Sequence, residues 1–165
     1  MVERLLPKQK VEGSSPFHRS IDFTGQGLGG ISLWGQVMKE NREKILGSVY
    51  LARKSLSERI SFPVDPDSRF CWMMSNELKT FLAATDVIIL NLRYDSHAVN
   101  IHNGTTLIDT GYLQYVPIGE RAGKPDSLII DLSAIKNLQK ELENYGIKRF
   151  VAHAYAKELL KRVSV

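Results

Sequence analysis

The pair Asn103-Gly104 constrains this chain more than any other feature, because it lies between two alternating segments, Ser96 to His102 and Thr105 to Thr110. Asn followed by Gly is a preferred filling of a two-residue type I′ turn, where both central positions take positive φ. Such a turn predicts that His102 faces Thr105, Asn100 faces Leu107 and Ala98 faces Asp109. On the other face Ile101, Val99 and His97 meet Thr106, Ile108 and Thr110. One face of the hairpin is then mainly apolar and packs inward, and the other is mainly polar and wet.

Outside the hairpin the period changes. Ile45, Val49, Ala52, Leu56 and Ile60 recur at helical spacing, with Leu46 widening the stripe, so a long helix is expected from Met38 to Ile60. Phe62-Pro63 and Asp65-Pro66-Asp67 end it. The apolar run Phe70 to Met74 reads as a buried strand, Asn76 as the cap of a short helix to Ala84, and Asp86 to Leu92 as the next strand. Gly111 to Ile118 is expected to add a strand, with Pro117 favouring an edge and an open side for a homodimer. Ser127 to Leu132 then reads as strand and Ser133 to Tyr145 as helix, closed by Gly146. Ile147 to His153 reads as strand and Tyr155 to Val163 as helix, which implies parallel strands joined by a right-handed crossover. The expected fold class is α/β (α+β mixed): a long N-terminal helix, a mixed sheet with a central β-hairpin, and a C-terminal parallel βαβα unit.

Residues 1–37 read differently. The stretch Thr24 to Gly35 holds five of the chain's twelve glycines, and Met1 to Ser20 keeps neither a 2 nor a 3.6 period. Gly25, Gly27 and Gly30 satisfy GxGxxG, but only Ile21 to Phe23 precedes them, too short a strand for a pyrophosphate-binding turn. Gly13-Ser14-Ser15-Pro16 can be back-translated into the TΨC-arm consensus of a tRNA gene. Residues 1–37 are therefore expected to be a flexible or non-native extension, a possible gene-model artefact, and residues 38–165 a single α/β domain.

Composition narrows the function classes. The 165 residues suit one domain, with 43% hydrophobic and 24% charged residues, and no apolar run nears the roughly 20 residues that span a bilayer. One cysteine, Cys71, makes no internal disulfide, so a cytoplasmic protein is the expectation. The net charge of +4 admits nucleic acid as a partner without indicating it.

Asp95, His97, His102 and Asp109 resemble a metal cluster in one dimension, but the two-residue turn scatters them, and no metal or cofactor is expected. The carboxyl ends of the parallel strands bring forward Asp131 and Ser133 from one strand, and His153 and Tyr155 from the next. Arg121 and Lys124, in the glycine-bearing loop before them, can approach an anion. The expected function is a small binding or regulatory domain without its own catalysis, with a ligand or protein partner on that surface. The alternatives are a small hydrolase or transferase using Asp131 and His153, and a weakly basic nucleic-acid-associated protein.

Overall fold

The stripe of Ile45, Val49, Ala52 and Leu56 is buried along α1 (Leu33–Ile60), as its spacing requires. This helix starts ahead of Met38. The computed structural model describes residues 33–163 apart from Ser68 and Tyr94, so the expectations for residues 1–32 lie outside the described residues. Among the described residues no helix is long and apolar enough to cross a membrane.

The apolar run from Phe70 is not a strand. It opens α2 (Cys71–Phe81), which buries Met74 and Leu78 one turn apart. Short apolar runs fit either state, and the one-turn repeat through Met74, Leu78 and the buried Leu82 favours helix. Asn76 sits inside this helix, and its amide donates to the Trp72 carbonyl.

Four strands follow: β1 (Thr85–Leu92), β2 (Asp95–His102), β3 (Thr106–Asp109) and β4 (Leu128–Asp131). They form one sheet in sequence order, with every neighbouring pair antiparallel. The fold is therefore α+β, and the expected mixed sheet and parallel βαβα unit are corrected. Gly146, at φ +95°, turns the chain after α3 (Leu138–Asn144), and residues 149–153 enter α4 (Arg149–Leu160) instead of a strand. Ala152, Tyr155, Ala156 and Leu159 are buried at helical spacing, which explains the outcome. Residues 111–118 also form no strand. They turn through short 3₁₀ segments at Tyr112–Tyr115 and Ile118–Glu120, burying Tyr112, Leu113 and Val116 without a two-residue period. The sheet edges are β1 and β4.

Helices cover both faces. Met74 and Leu78 of α2 pack with the α1 stripe against Ile108 and Ile129, and Leu142, Ala152 and Leu159 of α3 and α4 pack with Val99, Ile101, Leu107 and Ile130. No wet face remains on β2, whose residues from His97 to Ile101 are all buried. Asn100 is held there by donating to the Ser75 carbonyl of α2 at 2.9 Å.

The hairpin register also differs. Asn103 and Gly104 take positive φ, 51° and 75°, as the turn chemistry predicts. Thr105, however, stays in the loop, and the observed pairs are His102 with Thr106, Ile101 with Leu107 and Asn100 with Ile108. A shift of one residue exchanges the faces of β3, because side chains alternate along a strand.

Candidate functional site: a buried polar line at the start of α2

The register shift moves Asp109 onto the same face as His97, twelve positions earlier. Both side chains are 0% exposed. A buried carboxylate is tolerated when its lone pairs are occupied. Oδ2 of Asp109 accepts from His97 Nε2 at 2.7 Å and from the Tyr155 hydroxyl of α4 at 2.8 Å. Oδ1 accepts from the Gly111 backbone N–H at 2.9 Å.

Cys71 stands at the other end of this line, as the first residue of α2. The residue before it, Phe70, offers no side-chain cap, and the first turn holds no acidic residue. The positive end of the helix is thus left for the sulfur to complement. Burial raises the Cys71 pKa, but hydrogen bonds from His97 and the Ala98 backbone outweigh it, and the thiol is held below its ordinary value. Burial likewise opposes charge on His97, yet the charge and hydrogen bond of Asp109, with a smaller contribution from Cys71, push its pKa up to about 10. Both directions favour a thiolate–imidazolium pair.

Nε2 is committed to Asp109, which makes Nδ1 the other nitrogen of the ring. The Gln114 amide nitrogen lies 3.0 Å from that Nδ1 and also donates to the Gly111 carbonyl at 3.0 Å. It can donate to Nδ1 only while the ring is neutral. Protonation of the ring sets two N–H groups against each other and breaks that contact.

The Tyr115 ring meets the His97 ring edge-on, with centroids 5.0 Å apart. A cavity of ≈ 350 Å³ opens beside Cys71, lined by Trp72, Ile89, Ser96, His97 and Ala98. Trp72 is 56% exposed, so this cavity has an open aromatic rim. The arrangement suits nucleophilic chemistry better than metal binding. Asp109 holds His97 through Nε2, and among the described residues no group of His, Cys, Asp and Glu is placed to hold a metal.

The residues named from sequence fall elsewhere, with one exception. Among the described residues no strands are parallel, so none supplies a ligand surface at parallel carboxyl ends. Asp131 accepts from the Ser133 hydroxyl at 2.6 Å and its N–H at 3.0 Å, a local turn. His153 is exposed on α4 and bonds Gln139 at 3.1 Å. Among the described residues no hydrogen bond or ion pair joins Asp131 to His153. Arg121 pairs with Asp67 at 2.7 Å, and Lys124 reaches the Asn144 carbonyl at 3.4 Å. Tyr155 is the exception, as the tyrosine that closes on Asp109.

Sequence reasoning singled out neither Cys71 as a candidate nucleophile nor Gln114. A cysteine opening a stretch with helical burial, followed by His and Asp on consecutive strands, was the available signal. Compared with known proteins, the chain matches no family model, no curated protein and no solved structure.

Proposed function

We propose that the chain is a thiol-dependent hydrolase or transferase of acyl groups, with Cys71 as nucleophile, His97 as proton carrier and Asp109 as the group that orients the ring. One observation carries this reading: Cys71, the first residue of α2, lines the same cavity as His97, whose ring is fixed by a sealed carboxylate. A nucleophile, a base in hydrogen-bond reach and a third group fixing the base are the parts an activated thiol needs. The hydrolase or transferase class was an alternative from sequence; the residues assigned to it change from Asp131 and His153 to these three.

In the first half-reaction the Cys71 thiolate attacks the carbonyl carbon of an ester, thioester or activated amide. A C–S bond forms and the carbonyl π pair moves onto oxygen. The first N–H groups of α2, which have no partners within the helix, are donors beside the nucleophile for that charge. Collapse restores the C=O and expels the leaving group, which takes the proton from His97. Water or an amine then attacks the thioester, gives a proton back to His97 and releases the thiolate. The partner is a small-molecule acyl donor, and a reducing, cytoplasmic setting belongs to the proposal because such a thiolate oxidises readily elsewhere.

The test uses the fact that Cys71 is the chain's one cysteine. Iodoacetamide alkylation, followed by mass spectrometry across pH, should give a wild-type midpoint clearly below the ordinary thiol value of about 8.5. His97→Gln should move that midpoint back toward it. Nitrophenyl acetate should give a burst of one nitrophenolate per chain, absent in Cys71→Ser. A wild-type thiol titrating at the ordinary value, or a burst that survives Cys71→Ser, overturns the reading.

A further inference from the structure

A cavity of ≈ 780 Å³ is lined in part by Tyr115, the ring that meets His97 edge-on. It opens between the β1–β2 turn and the start of α4, with Leu92 and Arg93 on one wall and Arg149, Phe150 and His153 on the other. Its volume falls in the range of about 300–1,000 Å³ typical of small-molecule sites. Two features of the wall fit an occupant. Phe150 is 67% exposed, an aromatic ring left in water at the mouth of a cavity. Arg149 is the first residue of α4, whose first turn has no acidic residue, so a cation stands at the positive end of a helix dipole. Asp95 is the one carboxylate in the lining, against Arg93 and Arg149.

We propose that this cavity binds a small molecule with an apolar body and a single anionic end, a carboxylate or sulfonate. The body lies against Phe150, Leu92 and the Tyr115 ring. The anion sits at the start of α4, where it offsets both Arg149 and the helix dipole. His153, named from the sequence as a ligand residue, lines the same cavity. The site is independent of the acyl chemistry and makes no use of the thiol.

The probe is the fluorescent dye anilinonaphthalene sulfonate, an apolar anion, titrated into the full chain. The expected result is saturable binding of one dye per chain, displaced by dodecanoate and on the order of tenfold less well by dodecyltrimethylammonium, which has the same tail and the opposite charge. Arg149→Glu should weaken dye binding by on the order of tenfold or more. That variant puts an acid at a helix N-terminus, so its fold is retained and its loss of binding is interpretable. Cys71→Ser should bind the dye as wild type does, which separates failure of this site from failure of the catalytic reading. Non-saturable binding, equal displacement by both detergents, or unchanged affinity in Arg149→Glu overturns the proposal.

Discussion

Asp109 has three donors on two oxygens, and one of them comes from a residue 46 positions away. Removing the Tyr155 hydroxyl while keeping its ring isolates that donor. Tyr155→Phe should lose about 1–3 kcal/mol of stability, the usual loss for a buried bond to a charged acceptor. Urea unfolding near neutral pH measures it, and an unchanged midpoint would mean that the hydroxyl does not hold the carboxylate. Gly111 tests the same cluster by steric means. Its φ of −124° is open to any residue, so only space matters. An added Cβ would come 3.3 Å from Cys71 Cβ, 3.4 Å from Gln114 Nε2 and 3.5 Å from His97 Cε1. Gly111→Ala should therefore press on Cys71, lower stability by less than the full overpacking loss of about 1–3 kcal/mol, and slow the alkylation of Cys71. Alkylation at the wild-type rate would show that the methyl is absorbed without moving His97 or Gln114.

At the level of elements, the long helix, the hairpin and the first strand were legible, and one loop residue hid the site. Asn103-Gly104 announces the turn, but nothing in that pair reveals that Thr105 also stays unpaired. Counting a two-residue loop set Asp109 opposite Ala98 and apart from His97; counting three sets it on His97's face. The β-α-β-α tail failed for a different reason. The stretch from Ile147 to His153 is apolar enough for a strand, and only burial that continues through Tyr155 and Leu159 makes it the start of α4. Cys71 was hidden in the same way, within an apolar run too short to separate strand from helix. The element that fixes Cys71 is α2, tied to β2 by Asn100 and to α1 by Glu77, which accepts from Ser55 and Arg59, each at 2.7 Å. Asn100→Ala should free the start of α2 and raise the pH at which Cys71 is alkylated. A stability loss without that shift would limit Asn100 to packing.

For the whole molecule the two coupled groups act on stability in opposite senses. His97 keeps its proton up to about 10 when folded and loses it near 6.5 when unfolded, so between those values its contribution falls as pH rises. Cys71 is the reverse: its folded pKa lies below 9.0, so its contribution rises with pH until the unfolded thiol also ionises. In the wild type the two slopes offset each other. Cys71→Ser removes one and leaves the larger influence on His97, that of Asp109, in place. Its Tm should fall steadily from pH 6.5 toward 9.0 while that of the wild type stays flatter over the same interval. Parallel curves would mean that His97 is not held charged. The placement of Tyr155 also bears on how the protein is made. Synthesis proceeds from the N-terminus at about 5–20 residues per second, so Cys71, His97 and Asp109 leave the ribosome before α4 exists. A nascent chain stopped short of Tyr155 carries thiol, imidazole and carboxylate but lacks the hydroxyl that completes Asp109's donors. The cluster is finished only when α4 docks on the sheet, which makes that docking the step at which Asp109 gains its third donor.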